Sequence, residues 1–251
     1  MVFKSCGSGG RFVSKGSGGG FKAKVLTSGI PTIDTNGLVL YLDAGNSASY
    51  PGSGTTWLDL SGQGNHSSIL QAGFGFDPTP IYDPANGGSI GFGGVNRYAP
   101  TSMTAFPSGN APGTLSAWAK TATIGGSWSW IFAYGAQSAS GARFLGINGS
   151  NYYFGGYGND INASGVPLDT WFNMVGVYDG SAASMYVNGI LVSGPTAKSW
   201  NTSNVSSAVG RQVSGSEYWN GNVAQVLVYD RALTAGEILQ NFDADKARFG
   251  L

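Results

Sequence analysis

Trp219-Asn-Gly-Asn-Val-Ala-Gln-Val-Leu-Val-Tyr-Asp-Arg-Ala-Leu-Thr-Ala-Gly-Glu-Ile-Leu-Gln-Asn-Phe242 decides the fold. Taken as an extended chain, Val223, Gln225, Leu227 and Tyr229 share one face and Ala224, Val226 and Val228 the other, apolar on both sides except at Gln225. That pattern predicts a strand buried on both faces. Thr234 followed three residues later by Glu237 is a capping box, the hydroxyl and the carboxylate each accepting from the other residue's backbone N–H. A helix is therefore expected from about Ala235, with Ile238, Leu239 and Phe242 folding back onto the sheet.

Working outward, the chain alternates short apolar segments with turn residues. Leu38–Asp43, Trp57–Leu60, Thr114–Lys120, Ser129–Tyr134, Ala142–Ile147, Asn151–Gly155, Trp171–Tyr178, Val205–Arg211 and Glu217–Trp219 read as strands. Ser89–Gly94 with Arg97–Ala99, and Met185–Asn188 with Ile190–Val192, read as hairpins, and Asn148-Gly149 as a type I′ turn. Twelve or more short strands and a single helix predict an all-β fold of two antiparallel sheets packed face to face. No internal repeat or second domain is visible.

Composition agrees. Charged residues make up 10% of the 251, against the usual quarter, while 42 glycines and 13% aromatics suit short strands and tight turns. The formal charge is zero but unevenly placed: Lys4, Arg11, Lys15, Lys22 and Lys24 precede Asp34 with no acid among them, leaving eight basic and all thirteen acidic residues to the rest. Residues 1–33, rich in Gly and Ser, cannot build a core and are expected to form an extended basic arm before a sandwich at 34–251. A flexible tail and a docked arm are both open. Docking would use Phe3, Phe12, Val13 and Phe21 as anchors and Lys4, Arg11 and Lys22 against an acidic partner. The single Cys6 allows no intrachain disulfide. The first thirty residues hold no secretory apolar run, and no stretch reaches membrane-spanning length, so synthesis in the cytoplasm without membrane insertion is expected. The body's acidity argues against nucleic-acid binding.

The closing segment resembles that of concanavalin A-like, laminin-G-like jelly rolls: an Asn-Gly, a strand ending Tyr-Asp-Arg-Ala-Leu, then Thr-x-x-Glu-Ile. Gly37-Leu-Val-Leu-Tyr-Leu-Asp-Ala-Gly-Asn46, Trp57-Leu-Asp-Leu-Ser-Gly-Gln-Gly-Asn65, and Trp171 through Tyr186-Val-Asn-Gly189 match the same family in order and spacing, covering about residues 37–243. With the ending Phe249-Gly-Leu, the chain is similar to jelly-roll structural proteins of tailed phages, especially those of cyanobacterial hosts. The resemblance implies a non-enzymatic virion protein held by its arm to the capsid or tail, with the sandwich edges buried in a homo-oligomer. The alternative is an adhesin recognising cell-surface glycans.

Three kinds of site follow. Family members of the laminarinase type carry two Glu and an Asp close together on one strand, because acid and nucleophile must sit about 5 Å apart. Here the only glutamates are Glu217 and Glu237; the second is a cap and the first has no acidic neighbour within ten residues, so catalysis is not expected. The only histidine, His66, reads as a loop residue. The family's loop calcium implies a Ca²⁺ site among Asp43, Asn46, Asp59, Ser61 and Asn65, whose oxygens suit six- to eight-fold coordination, although Asp and Asn also simply initiate turns. Lastly, Trp128, Trp130, Tyr152, Tyr153 and Tyr157 could form a platform for sugar rings. Trp128 and Trp130 share a strand face, and such a face is more often core than ligand surface.

Overall fold

The computed structural model describes residues 31–251 except Phe74, Pro78 and Pro80. In chain order the strands are β1 (Leu38–Asp43), β2 (Thr56–Trp57), β3 (Ser67–Ser68), β4 (Leu70–Gln71), β5 (Tyr82–Asp83), β6 (Ser89–Gly93), β7 (Arg97–Tyr98), β8 (Gly113–Thr121) and β9 (Trp128–Gly135). They continue as β10 (Ala142–Asn148), β11 (Asn151–Gly155), β12 (Ile161–Ser164), β13 (Trp171–Tyr178), β14 (Ala182–Val187), β15 (Ile190–Ala197), β16 (Ser207–Val209) and β17 (Asn220–Tyr229). The helix α1 spans Ala235–Asp245 and leads into a 3-10 turn at Lys246–Phe249. No helix among the described residues is long and apolar enough to cross a membrane.

Strand β17 is the hub. Its ten residues are long enough to pair with β8 along one side and with both β6 (Asn220–Val223) and β1 (Gln225–Tyr229) along the other. The resulting sheet runs β15-β14-β13-β8-β17-β6-β5, with β1 beside β17, and a second sheet runs β12-β11-β10-β9-β16. All strand pairs in both are antiparallel. The sheets bury one continuous core between them: Leu42, Phe92, Leu115, Phe172, Met174 and Val226 from the larger, Phe132, Leu145, Tyr152 and Phe154 from the smaller. Each such side chain removes roughly 1.5–3 kcal/mol worth of apolar surface from water, so this layer dominates the stability of the body.

The outer face of the larger sheet is also closed. Tyr41, Val175, Val177, Leu227 and Tyr229 on it are covered by Ile33, Leu233 and Ile238, and Trp118 stacks on Phe249 at 4.2 Å and on Phe242 at 5.6 Å. Ile33, placed by the sequence at the end of the arm, thus packs with the body, and Gln240 Nε2 donates to the Thr32 carbonyl. The capping box forms as expected: Thr234 Oγ1 accepts from Glu237 N at 3.3 Å, and Glu237 Oε2 accepts from Thr234 N at 2.7 Å. Arg231 reaches the same carboxylate and Asp34, tying the first turn of α1 to the start of the body.

Four expectations change. A bulge between Val223 and Gln225 inserts Ala224, so Val223 joins Val226 and Val228 in the inner core, while Leu227 and Tyr229 face outward under α1. One extra residue flips every later side chain to the other face. The expected Ser89–Gly94/Arg97–Ala99 hairpin does not form: β6 pairs with β5 and β17, and β7 with β4. Arg97 turns inward instead, donating to the Thr79 and Gly91 carbonyls and pairing with Asp77 at 3.5 Å. The turn after β10, expected as I′ on Asn148-Gly149, is centred on Gly149-Ser150 with φ positive at Gly149 alone, which is the II′ pattern; the hairpin expected at Asn188-Gly189 forms, with positive φ at both turn residues as in a I′ turn. Leu239 lies one position past the buried Ile238 and is 47% exposed rather than folded back.

Candidate functional site

The two outer faces differ in what covers them. Strand β9 delivers the aromatic pair to the uncovered one, and a bulge makes this possible. Trp128, Ser129 and Trp130 pair with Asn148, Ile147 and Gly146, but the next partner, Leu145, faces Phe132, leaving Ile131 as the extra residue. Ile131, Phe132 and Tyr134 therefore all point into the core, and Trp128, Trp130 and Ala133 point out. Phe132 and Tyr134 thus join the core between the sheets, Trp130 is 3% exposed within a second buried cluster on the outer face, and Trp128 is half-buried.

Gly146 lies between Trp130 on β9 and Tyr153 on β11 and adds no side chain of its own, and the Phe144 ring borders it. Around it Trp128 stacks on Trp130 at 5.4 Å and 25°, and meets Tyr153 edge-on at 4.6 Å. Phe144 props Trp130 from the side at 4.2 Å. Tyr157 stands 6.5 Å from Trp130, nearly parallel to it, on a backbone of φ +56°, a left-handed conformation that costs an aromatic residue strain. Its hydroxyl accepts from Gln137 Nε2 at 2.8 Å, which holds the ring in place.

These rings wall a cleft of about 210 Å³ lined by Trp128, Trp130, Phe144, Tyr157, Gly158, Asp160, Gln212 and Glu217. Its rim is acidic. Glu217 Oε2 accepts from Trp130 Nε1 at 2.7 Å, a charge-assisted bond that fixes both groups. Asp160 stands at the opposite element, and burial pushes its carboxyl above the usual range against the pull of the Asn159, Gly156 and Gly158 amides and of Lys198. Its Oδ1 is buried without a hydrogen-bond partner. Such a site offers flat apolar rings bordered by hydrogen-bond acceptors.

Of the five platform residues, Trp128, Trp130, Tyr153 and Tyr157 come together. Tyr152 does not: alternation along β11 sends it inward, 3% exposed and packed on Phe172. Phe144, Asp160, Gln212 and Glu217 are additions that the sequence did not single out for this role. Only Glu217 carried a signal, as one of two glutamates. Those two stand on opposite outer faces and make no carboxylate pair.

The residues assigned to calcium serve the protein instead. Asp59 accepts from Tyr41 N, Ser61 N, Ser61 Oγ and Asn65 N, filling both oxygens. Asn65 is fully buried and bonds the Val39 and Thr104 carbonyls and the Thr104 amide. Asp43 pairs with Arg248 at 2.8 Å, and Asn46 Oδ1 accepts from Ala48 N within its own turn. Asp59 and Asn65, whose oxygens accept from N–H and O–H donors of the protein, do not fit a cation cage. No group of three or more His, Cys, Asp or Glu side chains gathers among the described residues. The arm residues Phe3, Lys4, Arg11, Phe12, Phe21 and Lys22 lie outside the described residues.

Comparison with known proteins agrees with the fold. Residues 92–239 match the family model described as the concanavalin A-like lectin/glucanases superfamily. No curated protein sequence matches the chain. Among solved structures, the sialidase of Trypanosoma rangeli superposes with a TM-score of 0.60 at 17% identity, over 86% of this chain and 34% of that one. Domain 4 of an extracellular arabinanase from Geobacillus stearothermophilus, solved in complex with arabinotriose, gives 0.59 at 17% identity over 81% of this chain and 97% of that one. The receptor-binding domain of botulinum neurotoxin type G gives 0.59 at 12% identity, over 82% and 51%. The chain spans about a third of the length of the sialidases.

Proposed function

The chain belongs to the concanavalin A-like lectin/glucanases superfamily, and from that premise we propose that its sandwich is a non-catalytic carbohydrate-binding module whose site is the aromatic cleft on the smaller sheet. The observation that carries this is the set of rings lining the cleft, Trp128 and the largely buried Trp130, kept on an outer face by the β9 bulge, with Tyr157 beside them and Glu217 and Asp160 at the border. Rings of this kind cover the C–H faces of a sugar, and the carboxylates accept from its hydroxyls. The arabinanase domain bound to arabinotriose supports the reading as a protein of the same fold and nearly the same extent.

The test is a glycan array followed by titration calorimetry. Trp128→Ala and Tyr157→Ala are expected to weaken binding about tenfold or more, since a well-buried ring contact is worth about 1–3 kcal/mol. Unchanged affinity in both variants, or release of new reducing ends from the bound glycan, would overturn the proposal.

The segregated charge favours a second, compatible reading. An arm with five basic residues and no acid precedes a net acidic body, which suits attachment to a larger assembly such as a phage particle, with the module displayed outward. Deleting residues 1–30 is then expected to leave the body folded and abolish incorporation into particles. Normal occupancy by the truncated protein would rule this out.

A further inference from the structure

A second cleft of about 330 Å³ lies on the other side of Trp128 and Glu217, and these two residues line both clefts. Its other walls are different in kind: Thr123, Ser127, Ser129, Ser216, Tyr218 and Asn220 present hydroxyls and an amide, and only Ile147 and Trp128 present large apolar surface. The first cleft therefore offers rings and the second offers hydrogen bonds, with one partition between them.

The charges are one-sided. Among the described residues, Asp160 and Glu217 are the only charged side chains lining either cleft. Lys198 Nζ donates to Asn159 Oδ1 and the Asp160 carbonyl and acts on the Asp160 carboxylate, and Arg211 lies over the Tyr98 ring at 3.6 Å. Glu217 is oriented by Trp130, and its second oxygen accepts no hydrogen bond from the described residues. Asp160 Oδ1 is likewise without a donor. Glu217 thus has acceptor capacity that a hydroxyl donor can fill, and the charge of both carboxylates opposes another anion.

Resting on the carbohydrate reading, we infer that the two clefts are adjoining subsites for a neutral glycan of at least two sugar units, and that the acidic rim rejects sialylated, uronic and sulfated glycans. One unit stacks on the rings of the first cleft, the next is held by the hydroxyl and amide groups of the second, and the linkage between them crosses Trp128 and Glu217. The selectivity is opposite in sign to what a sialic acid ligand would need, although sialidases share the fold.

The experiment uses the full chain against arrayed neutral glycans of one to four units, with matched pairs such as lactose and sialyllactose or an unsulfated and a sulfated core, and confirms hits by calorimetry at pH 7. Affinity should rise about tenfold or more from one unit to two and then flatten, while each anionic partner binds about a hundredfold more weakly than its neutral counterpart. Glu217→Gln should narrow that gap, and Asn220→Ala should flatten the rise from one unit to two, with thermal melting used to confirm that both variants fold. A flat length series, or sialyllactose bound as well as lactose, overturns the inference and leaves the carbohydrate reading standing. Absence of binding to every glycan, neutral or anionic, removes that reading and the inference with it.

Discussion

Both outer faces of this sandwich carry tryptophans on sheet strands, yet one is finished and the other is open. On the larger sheet, Trp118 is 1% exposed because Phe249 and Phe242 from the C-terminal helix and turn stack over it. On the smaller sheet, Trp128 is half-buried and no helix lies over its ring; its neighbours are other rings and two carboxylates. Covering an aromatic turns it into core, with its free energy going into the fold. Leaving it beside acceptors keeps that free energy for a ligand. The one α-helix among the described residues, with the capping box that starts it, goes to the first face.

The largest expected effect breaks the closed face. Trp118→Ala removes a side chain sandwiched between β8 and two phenylalanines and should cost about 3–5 kcal/mol in denaturant unfolding. Glycan affinity measured below the melting temperature should stay within about twofold, because the site is on the other sheet. If Trp128→Ala costs as much stability as Trp118→Ala, the distinction between a structural and a ligand face collapses.

A smaller change sharpens the open face. Trp130→Phe keeps a ring and removes the N–H that Glu217 accepts at 2.7 Å. A hydrogen bond to a charged group contributes about 1.5–3 kcal/mol, so a stability loss near the lower figure is expected, Glu217 being able to reach water. Binding should fall further than the lost ring edge explains, because the carboxylate is no longer oriented. Stability loss without any loss of binding would make the Trp130–Glu217 bond purely structural.

How legible this was depended on regularity. Capping, the hairpin at Asn188-Gly189 and the long strands obey local rules, and Thr234, Glu237, Asn188 and Gly189 announced them. Faces obey a period of two only while the ladder is unbroken. At Ala224 and at Ile131 one extra residue resets the period, and nothing in the identity of either residue marks it. The second reset is the one that matters for function, since an unbroken β9 would have put Trp128 and Trp130 on the face of Phe132 and Tyr134. Asp160 and Gln212 were hidden for a different reason: they reach the cleft from loops far apart in sequence, and only the packing of β16 and β11 in one sheet unites them. Asp59 and Asn65 spend their oxygens on the protein's own amides, and in sequence an oxygen-rich loop looks the same whether it holds a cation or those amides.

The smallest effect returns to the closed face and to its acid sensitivity. Glu237 caps α1 and bonds Arg231, and these contacts, the Arg231 hydrogen bond first, pull its carboxyl from 4.5 down to about 2. A carboxyl more acidic in the folded state stabilises the fold while ionised. Its contribution is complete above about pH 4.5 and disappears as pH falls through about 2. Because the pair is partly exposed, solvent screening keeps the effect modest. Glu237→Gln should therefore lower stability slightly at pH 7 and flatten the acid limb of a stability profile between pH 5 and 2, read by denaturant midpoints. The open face should move the other way: the Asp160 carboxyl is raised by burial, so folding is helped rather than hindered when that group takes up its proton. An acid limb that stays as steep in Glu237→Gln as in the wild type would place the acid-sensitive contact elsewhere than in the cap that holds the closing helix.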